Sequence, residues 1–192
     1  MAQTWTTLTE EQWATPSWCD GWTVQQAAGH ILAAAEQTPL NFFKKLVQSG
    51  FKFDVFADRD AKRLGALEPN ELISRLIART TTTNHPPAPV MAMLGEIVVH
   101  GEDIRRPLGI NHRISDEALV AVADSYKRSN LLIGSKRRIE GLTLTSTDVN
   151  WTTGGGPEIR GPLASLTLAM TGRAQAVVDL SGEGLPTLIG RC

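Results

Sequence analysis

TVQQAAGHILAAAEQ, residues 23–37, combines a helix-capping residue with an apolar repeat of helical spacing. Thr23 is a favourable N-cap because its hydroxyl can accept a hydrogen bond from a free N–H of the first turn. Small or apolar residues then recur at intervals of three and four: Val24, Ala27, Ala28, Ile31, Leu32 and Ala35. This pattern predicts an amphipathic helix whose second turn carries His30.

The regions on both sides of this helix are predicted to be helical through the first two thirds of the chain. Thr9 and Ser115 are further N-cap residues. Apolar periodicity predicts additional helices over residues 40–48, 54–65, 68–80, 88–106 and 116–134. The sequence therefore indicates a mainly α protein.

A different pattern begins after Lys136. GLTLTSTDVNW, residues 141–151, alternates apolar and polar residues and is rich in β-branched types, which is typical of a strand. The glycines at 154–156 predict a hairpin turn, with EIRG at 158–161 as the returning strand. We expect a helical domain over residues 1–112 followed by a small α+β lobe over residues 113–192.

The composition excludes several classes of function. The 192 residues are 42% hydrophobic and carry a formal net charge of −1, which describes a globular protein without the basic surplus of a nucleic-acid binder. Cys19 and Cys192 lie at opposite ends of the chain, too few and too far apart for a disulfide framework. The sequence shows neither the basic and apolar regions of a secretory signal peptide nor an apolar run of about 18–20 residues that could span a membrane. We therefore expect no membrane partner and a cytoplasmic location.

The helix predicted over residues 88–106 carries the strongest chemical signal. At 100° per residue, Glu96, His100 and Asp103 share one stripe of this helix. A carboxylate and an imidazole four residues apart can bind one ion from the same side of a helix. His30, on another helix, can supply a third ligand, and three such ligands leave an open position, as catalytic zinc sites do.

Each of these residues also has a structural alternative. Glu96 and His100 can be an exposed helical pair, and His30 can be a hydrogen-bonded core histidine. Asp103 can orient a ligand histidine, or it can be a solvated carboxylate near the helix end. The residue pattern alone leaves these alternatives open.

Three longer runs resemble one enzyme family. They are EEQWATPSWCDGWTVQQAAGHI at 10–31, GEIVVHGEDIRRPLG at 95–109 and GPLASLTLAMTGRAQAVVDLSGEG at 161–184. Together they are similar to the mycothiol-dependent, maleylpyruvate isomerase-like enzymes of the DinB superfamily. The resemblance implies a DinB-like four-helix bundle with a divalent metal, usually zinc, followed by the small lobe. The first helix is shorter here than is usual in that family.

The resemblance also implies roles for individual residues. His30, Glu96 and His100 correspond to the family's metal ligands, and Arg173 to an arginine that holds an anionic substrate or the thiol. It implies an isomerase or S-transferase that takes mycothiol as cosubstrate and a small electrophile as substrate, as a monomer or homodimer. The alternatives are a metal-dependent hydrolase and a non-catalytic protein that binds a small molecule.

Overall fold

The chain folds into two compact units, Met1–His112 and Arg113–Cys192. The computed structural model describes residues 5–81, 86–131 and 133–192. Most of the described residues are helical, and three short strands form one sheet in the second unit. The predicted fold class, a mainly α protein with a helical domain followed by a small α+β lobe, is confirmed.

The helices of the first unit are arranged around the helix that contains His30. They are α1 (Glu10–Ala14), α2 (Val24–Glu36), α3 (Pro39–Gln48), α4 (Phe53–Leu64), α5 (Pro69–Arg79) and α6 (Val90–Arg105). Helix α2 packs against α4, α5 and α6. Its buried face, which includes Ala28 and Leu32 at 0% exposure, is the centre of the hydrophobic core.

Local hydrogen bonds explain where the first two helices begin. Thr9 and Thr23 each form a capping box, in which the hydroxyl accepts from a backbone N–H three residues later. Gln12 and Gln26 accept in return from the cap backbone. These reciprocal bonds satisfy N–H groups that a helix end leaves free. Helix α1 is short, as the sequence predicts.

Close packing between α2 and α4 depends on glycine. A Cβ atom added at Gly29 would lie 2.5 Å from the Gly65 nitrogen and 2.6 Å from the Ala61 carbonyl oxygen. Only a residue without a side chain allows the two backbones to approach so closely. Gly29 is therefore a point of direct helix–helix contact, one residue before His30.

The second unit combines helices with a three-stranded sheet. Its elements are α7 (Asp116–Tyr126), α8 (Ser135–Arg138), β1 (Thr143–Ser146), β2 (Thr152–Gly154), β3 (Glu158–Gly161), α9 (Leu163–Met170), a 3₁₀ helix (Ala174–Asp179) and α10 (Leu185–Ile189). Helix α9 packs against α7 and β1. Helix α7 ends earlier than predicted because Ser129 and Asn130 bind backbone N–H groups through their side chains and compete with helical bonds.

The sheet corrects the predicted hairpin. Strand β1 pairs antiparallel with β2, so the chain already reverses within residues 147–151. EIRG, the expected returning strand, instead forms β3 on the other edge of β1 and runs parallel to it. Gly156 makes this crossing possible, since it has φ of 128° and a Cβ there would lie 2.2 Å from the Gly141 carbonyl oxygen.

In the part of the chain that the structure describes, no helix combines the length and the apolar character that a membrane crossing requires.

Candidate metal centre

Two helices of the first unit bring two imidazoles and a carboxylate together. Nε2 of His30, on α2, lies 2.7 Å from Oε2 of Glu96, on α6. The same Glu96 oxygen lies 3.3 Å from Nε2 of His100, one turn further along α6. One ligand atom from each of the three residues lies within 4.8 Å of the others. The structure thus brings together the three residues that the sequence predicts as metal ligands.

Asp103 is hydrogen-bonded to the other ring nitrogen of His100. Its Oδ2 accepts a hydrogen bond from Nδ1 of His100 at 2.9 Å, and Asp103 has 0% exposure. The solvated-carboxylate alternative for Asp103 is therefore wrong. The bond leaves Nε2 as the His100 nitrogen that points toward Glu96.

Charge within the group accounts for its shifted pKa values. Burial raises the pKa of Glu96, but hydrogen bonds from His100 and His30 outweigh burial and hold this pKa far below its usual value. Burial lowers the pKa of His100, but hydrogen bonds with Asp103, Cys19 and Glu96 raise it well above its usual value. Both shifts favour a charged Glu96 carboxylate hydrogen-bonded to the His100 imidazole.

Trp22 packs against both imidazoles. Its ring centroid lies 4.9 Å from that of His30 and 5.9 Å from that of His100. The indole Nε1 donates a hydrogen bond of 2.9 Å to Oδ1 of Asp58 on α4, which fixes the orientation of the ring. Sequence analysis did not identify Trp22 as a site residue, although it lies just before the Thr23 cap.

Cys19 is a second residue that sequence analysis did not place at the site. Its half-buried thiol interacts with His100, and its sulfur lies within 4.8 Å of ligand atoms of His100 and Asp103. The contact joins the segment before α2 to the end of α6, 81 positions apart along the sequence. No local periodicity could have revealed it.

The donor set fits a divalent metal ion. At a tetrahedral zinc ion, bonds of about 2.0–2.1 Å place two ligand atoms about 3.4 Å apart. The 3.3 Å distance from Oε2 of Glu96 to Nε2 of His100 is close to that spacing, whereas the 2.7 Å distance to Nε2 of His30 is shorter and is that of a hydrogen bond. Asp103 already makes the carboxylate–histidine contact that orients metal-bound imidazoles. The role of His30, Glu96 and His100 as ligands nevertheless stays a prediction.

Arg173, the predicted anion-binding residue, lies in the second unit. It follows α9 and precedes the 3₁₀ helix, and its Nη1 donates to the Thr171 carbonyl oxygen at 3.4 Å. Its predicted role with substrate stays a prediction.

The comparisons with known proteins agree with the family resemblance. Residues 1–88 match the model of the mycothiol maleylpyruvate isomerase N-terminal domain. A crystal structure of a mycothiol-dependent maleylpyruvate isomerase with one histidine replaced by alanine is similar, with a TM-score of 0.62 and 14% identity. A second structure of a mycothiol-dependent maleylpyruvate isomerase has a TM-score of 0.57 and 12% identity. Each alignment covers 95% of this chain and 86% of the other. None of the curated proteins matches the sequence.

Proposed function

We propose that this protein is a metal-dependent enzyme with mycothiol as its thiol cosubstrate, because residues 1–88 match the model of the mycothiol maleylpyruvate isomerase N-terminal domain. It acts on a small electrophile as an isomerase or an S-transferase, as a monomer or homodimer in the cytoplasm. The observation that carries the proposal is the convergence of His30, Glu96 and His100 to within 4.8 Å.

These three side chains would hold the divalent ion. Two imidazole nitrogens and a carboxylate oxygen are donors that suit zinc and leave a position open for another ligand. When bound, such an ion supplies the Lewis acidity that lowers the pKa of a thiol and so provides a nucleophile near neutral pH.

The remaining residues of the site position these donors. Asp103 accepts from Nδ1 of His100, so that this ring keeps Nε2 toward Glu96. Trp22 packs against both imidazoles and restricts their rotation. We assign Arg173 the task of holding a carboxylate of the substrate, because a planar guanidinium can donate two parallel hydrogen bonds to it.

Metal analysis tests the proposal directly. Protein purified without chelator is expected to contain close to one divalent ion per chain by elemental analysis, because the three donors are already close together. Glu96→Gln is expected to lose the ion, since the amide does not supply the negative charge. Glu71→Gln is the control, because Glu71 is more than half exposed on α5 and belongs to none of the groups around His100.

The outcomes of this experiment separate the three functions. A metal-free native protein, or a Glu96→Gln variant with full metal content, would contradict the proposed site and favour a non-catalytic binding protein. A metal-loaded protein is expected to consume electrophiles such as maleylpyruvate only when mycothiol is present. Metal without thiol-dependent activity on a panel of electrophiles would favour the hydrolase.

A substitution at Asp103 tests the positioning role. Asp103→Asn is expected to weaken zinc binding by about 10–100-fold, because the amide is a poorer acceptor for Nδ1 of His100. Competition with a fluorescent zinc chelator measures the affinity, and circular dichroism checks that the helices are retained. An unchanged zinc affinity would show that Asp103 does not orient His100.

A further inference from the structure

A basic cavity of about 370 Å³ lies within the second unit, outside the group formed by His30, Glu96 and His100. Polar and charged residues supply most of its wall. The lining residues are Lys127, Asn130, Lys136, Arg137, Ile139, Glu140, Gly141, Leu142, Thr153 and Gly154. Its volume falls in the lower part of the range for small-molecule sites.

The chain around the cavity has an unusual charge pattern. Residues 127–138 contain five cationic side chains and no acidic one. Arg138 is used structurally, because its Nη1 donates to the carbonyl oxygens of Ile133 and Met170. Lys127 is neutralised by Asp124, whose Oδ1 lies 2.6 Å from the lysine Nζ.

Two cations of the cavity have no such partner. Within residues 5–81, 86–131 and 133–192, no carboxylate forms an ion pair with Lys136 or Arg137, although both side chains are exposed at the cavity. Glu140 is the one acidic residue in the described lining. With Lys127 paired to Asp124, the two cations Lys136 and Arg137 against the one carboxylate of Glu140 leave the wall with a net charge of +1.

Backbone contacts hold these two residues in place. The Lys136 N–H donates to the Ser129 carbonyl oxygen at 3.0 Å, and the Arg137 N–H donates to Oδ1 of Asn130 at 2.7 Å. The second bond uses the acceptor of the Asn130 amide and leaves its NH₂ group as a donor. Thr153, on β2, adds a hydroxyl group to the wall of the cavity. Cationic and neutral donors thus surround one space.

We propose that the basic cavity binds the phosphate group of a small anionic molecule. A phosphate offers several acceptor oxygens, which match the guanidinium of Arg137, the ammonium of Lys136 and the neutral donors. Ile139 and Leu142 add only a small apolar part to the wall, because both side chains are almost fully buried, so the polar groups determine what the cavity binds. The proposal does not depend on the metal site.

Calorimetric titration of the full-length protein with inorganic phosphate tests the proposal. At about 0.15 M salt, where exposed charges are screened beyond about 8 Å, wild-type protein is expected to show saturable binding. The Lys136→Gln/Arg137→Gln double variant is expected to bind at least about tenfold more weakly, since it removes both unpaired cations. Both side chains are exposed, so the variant is expected to fold normally.

A variant that removes an exposed cation outside the cavity controls for non-specific attraction. Arg113→Gln removes a cation that is 87% exposed in the same unit and outside the cavity, and it is expected to bind phosphate as wild type does. Absent saturation, full binding by the double variant, or an equal loss in Arg113→Gln would each overturn the proposal. Titration with the dicarboxylate succinate tests the choice of phosphate. If the protein binds succinate but not phosphate, the proposal is overturned.

Discussion

Glu102→Ala is expected to lower the free energy of unfolding by about 3–5 kcal/mol, because it leaves a buried arginine without its counter-charge. Arg105 is 2% exposed, and its Nη2 lies 2.8 Å from Oε1 of Glu102. The other oxygen, Oε2, accepts from Nε of Arg106 at 2.8 Å. Urea denaturation followed by circular dichroism measures the change.

An exposed pair of the same type provides the control. Glu71 and Arg75 are also a helical Glu–Arg pair, but their side chains are 55% and 36% exposed. Glu71→Ala is therefore expected to cost less than about 1 kcal/mol. Adding Arg105→Met to Glu102→Ala is expected to recover much of the lost stability, since it removes the uncompensated charge. If Glu102→Ala costs no more than Glu71→Ala, burial does not determine the strength of this pair.

Gly29→Ala is expected to destabilise the protein by about 2–3 kcal/mol, although Ala normally favours a helix interior over Gly by about 1 kcal/mol. The added Cβ would lie 2.5 Å from the Gly65 nitrogen and 2.6 Å from the Ala61 carbonyl oxygen. Both are backbone atoms, which cannot rotate away as a side chain can. Helices α2 and α4 must therefore separate or distort.

Gly155→Ala is the matched control for this substitution. A Cβ at Gly155 would meet no atom within 4 Å, and the position does not require positive φ. Its expected change is within about 0.5 kcal/mol. Urea denaturation compares the two variants. A stabilised Gly29→Ala protein would show that α2 and α4 do not pack as closely as the structure indicates.

Gly29→Ala also links stability to the candidate site. Because His30 is the next residue on α2, a shift of this helix moves its imidazole relative to Glu96. Lower metal content in folded Gly29→Ala protein, with normal content in Gly155→Ala, is the corresponding expectation for elemental analysis.

Local signals in the sequence were sufficient for most helices. The start of α2 could be predicted at Thr23 because a capping box involves residues only three positions apart. The stripe of Glu96, His100 and Asp103 could be predicted for the same reason, since helical geometry fixes which neighbours share a face. The resemblance to a family added Arg173 and agreed with His30, which the residue pattern had already offered as a third ligand.

Strand pairing was less predictable from local pattern. Alternation identified the β1 region, but either neighbouring segment can pair with a strand of that pattern. Which of β2 and β3 becomes the antiparallel partner of β1 depends on the path of the chain through Gly154–Gly156. This path is a property of the assembled sheet.

Sequence information alone was sufficient for the fold class, the helix starts and the shared face of Glu96 and His100, because each depends on interactions between near neighbours in the chain. Tertiary structure alone decided that His30 lies 2.7 Å from Glu96, that Trp22 packs against the imidazoles of His30 and His100, and that Cys19 interacts with His100. These contacts join α2, its preceding segment and α6 across many residues. They depend on how closely the helices pack, which near-neighbour interactions do not determine.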